Sequence, residues 1–255
     1  MKLLTPDEPP PVRVLRPRAT SNLVLAADHA GRLIPRALGT LGVAPSELTR
    51  HIAWDIGIAA VTEALSELLD ATAVLQTYSR LVIDCNRAPG HPTSIPTISE
   101  LTPIPSNEGL CEADRIARRR AIFDPYHAAI TRLLDERKAA GRRTVLVAMH
   151  SFTPMFKSVA RSVEVGVLYH HETALSRIML GLLRDEGDLA VGANEPYAIT
   201  DDSDYTVPAH GEARGIDHVE IEIRQDLIGE SEGQTEWARR MARLLVEADV
   251  KLRAA

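Results

Sequence analysis

The chain has 255 residues, of which 45% are hydrophobic and 25% charged, and its formal net charge is −6. This length and composition fit a globular protein with a sizeable core, and the acidic balance argues against a general role in binding nucleic acid or anionic membranes. No run approaches the ~18 apolar residues of a membrane span, and Cys85 and Cys111 form no Cys-x-x-Cys pair, so we expect a cytoplasmic protein.

The first 21 residues are rich in proline and arginine and lack hydrophobic periodicity. We expect them to form an irregular lead-in, followed by a single domain over residues 22–255, because no linker or repeat divides the rest of the chain.

From residue 23 onward, short apolar runs typical of strands alternate with patterns typical of amphipathic helices. Strands are predicted at 23–27, 73–75, 81–83, 144–149, 163–169 and 219–223, the second and third being two strands or one bent strand. Helices are predicted at 57–69, 112–140, 175–183 and 237–245, and residues 87–110 form a long loop with five prolines. This alternation predicts a three-layer α/β/α fold with a mixed, mostly parallel central sheet.

Polar side chains stand at or just beyond the ends of three predicted strands. His29 follows the first strand, His150 follows the run that ends at Met149, and Glu222 lies on the last strand. In open α/β sheets, sites form beyond the carboxyl ends of the strands, and a catalytic zinc ion needs three N or O ligands with one open position. Each histidine taken alone is also compatible with a hydrogen-bonded structural role.

Other features of the sequence support a site of this kind. Glu220 and Glu222 alternate with apolar residues, so both should lie on one face of their strand and need a cationic or metal partner. Arg80 and Arg87 flank the apolar run at 81–83, a placement that suits binding of a carboxylate, although a salt bridge to Asp84 is an equal alternative. The nucleotide-binding and nucleophile-elbow glycine motifs are missing from the sequence.

Seven short motifs in fixed order resemble the N-formylglutamate amidohydrolase family and together span residues 22–248. They are Asp28-His29-Ala30-Gly31-Arg32, His51-Ile52-Ala53-Trp54-Asp55, Tyr78-Ser79-Arg80 through Asn86-Arg87, Pro125-Tyr126-His127, His150-Ser151-Phe152-Thr153-Pro154, Asn194-Glu195-Pro196-Tyr197 and Ile221-Glu222-Ile223-Arg224. The resemblance implies the fold of the zinc-dependent exopeptidases and a metal-assisted hydrolysis of an amide.

The resemblance also implies roles for particular residues. In the related carboxypeptidases a His-x-x-Glu pair and a later histidine hold zinc, but Arg32 stands here three residues after His29. We therefore expect His29, Asp55 and His150 to bind one Zn²⁺ per chain, with His51 as the second choice for the missing ligand.

The resemblance further implies that Glu222 is the general base and that Arg80 is a candidate for polarising the scissile carbonyl. By the same resemblance we expect Asn86 and Arg87 to bind the carboxylate of a small-molecule substrate.

The expected reaction is cleavage of a C–N amide bond in N-formyl-L-glutamate or another N-acyl amino acid. A zinc carboxypeptidase-like peptidase and a non-catalytic carboxylate-binding relative are the alternatives, and the oligomeric state is not readable from the sequence.

Overall fold

A seven-stranded sheet forms the centre of the molecule in the computed structural model, which describes residues 3–200 and 204–254. The strands are β1 (Val12–Leu15), β2 (Leu23–Ala27), β3 (Thr72–Gln76), β4 (Ile98–Ser99), β5 (Thr102–Pro103), β6 (Val145–Phe152), β7 (Met155–Phe156), β8 (Val159–Ala160), β9 (Val165–Leu168), β10 (Val191–Ala193) and β11 (Asp217–Arg224). The helices are α1 (Ile58–Leu68), α2 (Glu112–Arg118), α3 (Asp124–Ala139), α4 (Ala174–Asp185) and α5 (Ser231–Ala254).

The central sheet has the strand order β1-β3-β2-β6-β11-β9-β10. Strands β3, β2, β6 and β11 run parallel to one another, whereas β1 pairs antiparallel with β3 and β9 pairs antiparallel with β11. The sheet is thus mixed and mostly parallel, as predicted. The carboxyl ends of its four central strands meet at one edge.

Helices cover both faces of the sheet because its central strands β2 and β6 bury apolar residues on both sides, as buried parallel strands do. On one face Leu25 and Ile221 pack with α1, α4 and α5, where Trp237 is buried. On the other face Val24 and Leu146 pack with α3 and the π-helical turn that joins α2 to α3. This arrangement confirms the predicted three layers.

Two of the predicted elements were wrong. Residues 81–83 form a turn and not a strand, and within the predicted lead-in β1 adds a strand to the sheet edge. The carbonyl of Leu81 accepts from Asn107 Nδ2 at 2.8 Å and that of Val82 from Arg118 Nη1 at 2.9 Å. This apolar run therefore satisfies its backbone with distant side chains and needs no strand partner.

Arg118 is buried, whereas its neighbours Arg115, Arg119 and Arg120 are exposed. Within the described residues, no helix combines the length and apolarity that crossing a membrane requires. The single-domain organisation of residues 22–255 stays a prediction.

Candidate active site

The carboxyl edge of the sheet brings together side chains from separate strands. Asp28 and His29 directly follow β2, and His150 lies near the end of β6. The parallel register of β6 and β11 places Glu222 beside His150. Asp55 arrives from the segment before α1, where its backbone N–H donates to the carbonyl of His29 at 2.9 Å.

His29, Asp55 and His150 form a buried cluster. Asp55 Oδ2 lies 3.4 Å from His29 Nδ1 and 3.0 Å from His150 Nδ1, and one potential ligand atom from each residue falls within 4.8 Å of the others. Two imidazole nitrogens and one carboxylate oxygen are a donor set that suits zinc. The residues predicted as metal ligands thus lie together, whereas His51 faces Glu100 at 3.5 Å.

Carboxylates also engage the far side of each imidazole. His29 Nε2 donates to Asp84 Oδ1 at 2.7 Å, which leaves Nδ1 as the nitrogen with a lone pair. His29 Nδ1 has no hydrogen-bond partner among the described residues, although it is buried. His150 Nε2 faces Asp28 Oδ2 at 3.2 Å. A carboxylate that is hydrogen-bonded behind a histidine fixes its tautomer and ring orientation, as Asp84 does for His29. The donor set of His29, Asp55 and His150 therefore fits a metal ion.

The charges of the cluster hold one another in their ionised forms. Burial acts to lower the pKa of His150, but Glu220, Asp28 and Asp55 raise it well above its usual value. Burial acts to raise the pKa of Asp55, but the two histidines lower it well below its usual value. In the absence of a metal ion the positive imidazolium stabilises the buried carboxylates, and a divalent cation would take over that role.

Two glutamates line the same edge without hydrogen-bond partners for their Oε2 atoms in the described part of the chain. Glu220 and Glu222 are 2% and 6% exposed, and they share one face of β11, as predicted. Burial raises the pKa of Glu222 to about 7 and that of Glu220 well above its usual value. A carboxyl group with a pKa near neutrality can both accept and release a proton under physiological conditions.

Arg80 lies in this site but is paired. Its guanidinium donates to Asp84 Oδ2 from Nη2 at 2.7 Å and from Nε at 3.1 Å, and Nη1 faces Asp55 Oδ1 at 3.5 Å. The salt bridge to Asp84 that the sequence left open as an alternative is therefore present. Arg80 still lines the cavity beside the histidines.

Asn86 and Arg87 lie close together on the cavity wall. Asn86 Nδ2 donates to Asp204 Oδ1 at 2.8 Å, and Asn86 Oδ1 accepts from the backbone N–H groups of Tyr205 and Thr206. Arg87 Nη1 lies 3.6 Å from Asp204 Oδ1. The Asn86 side chain thus fixes the segment that follows residue 203, and its contact with a substrate stays a prediction.

A cavity of about 460 Å³ opens over the cluster. Its floor carries the histidines, Asp55, Glu220 and Glu222, and its walls include the aromatic side chains of Phe152, Phe156 and Tyr197. A concavity that combines aromatic walls with many convergent polar and charged groups is suited to a small, charged ligand.

Some residues of the site were not predicted from the sequence. Asp84 was considered only as a partner of Arg80, and its bond to His29 depends on a turn that the apolar run at 81–83 concealed. Asp28 is adjacent to His29 in sequence, so its position at the end of β2 was a usable signal. Glu100 reaches the site from the β4–β5 hairpin, for which the long loop gave no indication.

Comparison with known proteins finds one matching family and similar solved structures. Residues 21–229 match the sequence model of the N-formylglutamate amidohydrolase family. The crystal structure of a gene product from Agrobacterium tumefaciens is 38% identical, with a TM-score of 0.95 over 98% of this chain and 99% of that one. The N-formylglutamate amidohydrolase from Ralstonia eutropha shares the fold at 21% identity, with a TM-score of 0.70 over 96% of this chain and 99% of that one. Among curated proteins, no sequence matches significantly.

Proposed function

The chain belongs to the N-formylglutamate amidohydrolase family, and we propose that it is a zinc-dependent hydrolase of N-acyl amino acids such as N-formyl-L-glutamate. The observation that carries this proposal is the buried cluster of His29, Asp55 and His150 in a cavity that also contains Glu222. Two free thiols, one of them exposed, are compatible with a cytoplasmic location.

The proposed metal ligands are His29, Asp55 and His150. Zinc bound there supplies Lewis acidity and lowers the pKa of a water molecule from about 15.7 towards ~7. Asp84 orients His29 through a hydrogen bond to Nε2, and Asp28 places a carboxylate oxygen 3.2 Å from Nε2 of His150.

Glu222 is the proposed general base. Its carboxylate takes a proton from the attacking water as the new C–O bond forms, and it then delivers that proton to the departing nitrogen as the C–N bond breaks. The products are an amine and a carboxylic acid, whose remaining proton passes to the amine to give an ammonium ion and a carboxylate, and Glu222 returns to its starting state. The buried position of Glu222, beside His150 in the parallel register of β6 and β11, supports this role.

The arginines of the cavity are the proposed substrate contacts. Arg80 stabilises the negative charge that develops on the carbonyl oxygen, a role for which loss of one donor typically costs ~2.7–4 kcal/mol. Arg87, on the wall beside Asn86, binds a carboxylate of the substrate and thereby orients the amide above the cluster.

Release of formate from N-formyl-L-glutamate by the purified protein tests the proposal, with Glu222→Gln as the decisive variant. We expect this variant to retain its metal and its thermal stability while its kcat falls about 10²- to 10⁴-fold. Glu236→Gln, at an exposed site on α5, is the matched control and should hydrolyse at the wild-type rate. Full activity of Glu222→Gln would remove Glu222 from the role of base.

A further inference from the structure

Thr206 is a fully buried threonine that directly precedes the π-helical turn over Val207–Gly211. Its hydroxyl donates a hydrogen bond of 2.6 Å to Asp28 Oδ1. A hydrogen bond from a hydroxyl to a carboxylate is short and stronger than one between neutral groups. Thr206 is not among the residues that line the cavity, so any effect of this side chain on the site is transmitted by Asp28.

Asn86 holds the backbone of Thr206 in place. Its Oδ1 atom accepts from the backbone N–H of Thr206 at 3.0 Å and from that of Tyr205 at 2.9 Å. Asn86 is itself buried, and its backbone N–H donates to Asp84 Oδ1 at 2.9 Å. The Thr206 hydroxyl is therefore presented to Asp28 from a fixed position, as a group that orients another side chain requires.

Asp28 lies between Thr206 and His150. Its second oxygen, Oδ2, is 3.2 Å from His150 Nε2 and is the nearer of two carboxylate oxygens, since Glu220 Oε2 is 3.9 Å away. The other ring nitrogen of His150, Nδ1, faces Asp55 Oδ2 at 3.0 Å. The two oxygens of a carboxylate belong to one rigid plane, so the hydrogen bond at Oδ1 also sets the direction of Oδ2.

The same group of residues also reaches the other imidazole of the cluster. Asp84 Oδ1, which accepts from the backbone of Asn86, accepts from His29 Nε2 at 2.7 Å. The two proposed histidine ligands are therefore connected behind the cluster by a path through Asp84, Asn86, Thr206 and Asp28. Groups that support metal-binding histidines from behind contribute measurably to metal affinity.

We propose that Thr206 is a positioning residue for the metal site, whose hydroxyl turns the Asp28 carboxylate towards His150 and so sets the orientation of that ligand. This inference rests on the proposed function for the identity of the site, but it concerns metal binding and not turnover. Loss of the hydroxyl leaves Asp28 Oδ1 buried without this donor, which is unfavourable. The carboxyl group then turns away from His150, and the metal ion is bound more weakly.

Zinc affinity, measured by competition with a chromogenic chelator, tests this role. Thr206→Val keeps the shape of the side chain and removes its hydroxyl, so we expect zinc to bind on the order of 10-fold more weakly. Thr206→Ser keeps the hydroxyl and should bind zinc as the wild type does. Thr62→Val is the matched control, because Thr62 is equally buried but its hydroxyl has no hydrogen-bond partner in the described part of the chain, and it should also bind zinc normally.

A double-mutant cycle with Asp28→Asn shows whether the effect passes through Asp28. Two independent losses of affinity add, whereas a loss transmitted by Asp28 largely disappears once that carboxylate is gone. We therefore expect Thr206→Val to weaken zinc binding little further in the Asp28→Asn protein. Thermal unfolding of the metal-free proteins verifies that they fold, and Thr206→Ala, with the same expected direction, replaces Thr206→Val if the latter does not.

Zinc affinity that is unchanged in Thr206→Val, or equally weakened in Thr206→Ser, would overturn the role of Thr206 and leave the hydrolase. A loss that persists in full beside Asp28→Asn would overturn it as well, because the effect would then not pass through Asp28. Zinc binding that depends on the Thr206 hydroxyl in a protein that does not hydrolyse N-formyl-L-glutamate would support the positioning role and overturn only the proposed reaction. A wild-type protein that takes up no zinc would overturn both.

Discussion

Asp84 connects the proposed metal ligands to the arginines of the cavity. One of its oxygens accepts from His29 Nε2 and from the backbone N–H of Asn86, and the other accepts from Arg80. Burial acts to raise the pKa of Asp84, but Arg80 and His29 lower it well below its usual value. The side chain is therefore ionised and sets both the tautomer of His29 and the position of Arg80.

We expect Asp84→Asn to weaken metal binding about 10- to 100-fold, the usual effect of losing a carboxylate behind a metal-bound histidine. Competition with a chromogenic chelator measures this affinity directly. Asp226→Asn, which removes a partly exposed carboxylate that pairs with Arg224, is the control and should bind metal as the wild type does. Equal affinities for the three proteins would show that Asp84 does not support His29.

At the level of single residues, the sequence was informative where side chains follow buried strands. His29 and His150 could be assigned to one site because parallel strands end at the same edge. Asp84 could not be assigned to this site from the sequence, because residues 81–83 have the composition of a strand. They form a turn, in which the carbonyls of Leu81 and Val82 accept hydrogen bonds from Asn107 and Arg118.

Among the elements, the start of α1 is constrained by both its backbone conformation and a close contact. Gly57 precedes the helix with φ of +83°, and a Cβ at this position would lie 2.1 Å from the carbonyl oxygen of Ile228. This close approach holds the segment that carries Asp55 against the turn after β11. Only glycine can adopt this left-handed conformation without strain and also fit where there is no room for a Cβ.

Gly57→Ala should lower the free energy of unfolding by about 2–4 kcal/mol, because backbone strain and steric overlap add. Gly187→Ala is the matched control, since Gly187 also has a positive φ of +74° but no atom lies within 4 Å of its added Cβ. It should cost only about 1–2 kcal/mol. Urea unfolding measures the free energy of unfolding of both variants. An equal loss in the two would contradict the close contact with Ile228.

The elements themselves were largely predictable. Strands β2, β6 and β11 and helices α1 and α4 follow from apolar periodicity, because each buries a continuous apolar face. The strands β1 and β10 and the two small hairpins were missed, since they are only two to four residues long and their pairing partners are distant in sequence. Their positions depend on tertiary contacts that no local pattern encodes.

On the scale of the whole molecule, a buried histidine pair links the stability of the fold to pH. His127 Nε2 donates to the carbonyl of Cys85 at 2.8 Å, so its Nδ1 accepts from His210 Nε2 at 2.9 Å. Burial and the neighbouring His127 lower the pKa of His210 to about 4. The folded protein therefore holds His210 neutral at pH values where the unfolded chain would protonate it.

Because the unfolded state binds the extra proton, the contribution of His210 to stability is fully present above pH 6.5 and is lost as the pH falls towards 4. The gap between the two pKa values corresponds to about 2–3 kcal/mol at pH 4.5. We expect His210→Gln, which can still donate to His127, to lose less stability than the wild type between pH 7.5 and 4.5. Urea unfolding at the two pH values measures this difference. If the free energy of unfolding falls equally in the wild type and in His210→Gln, His210 is not the group responsible.

His29, Asp55 and His150 are the proposed ligands of a metal ion. The metal content of the purified chain tests this proposal most directly. The protein would be purified without added metal or a histidine tag and measured by elemental analysis beside His150→Ala and the control His171→Ala, whose imidazole is exposed. We expect about one zinc per chain in the wild type and in the control, and none in His150→Ala. A wild-type protein that contains no metal and takes up none on titration with Zn²⁺ would contradict the account.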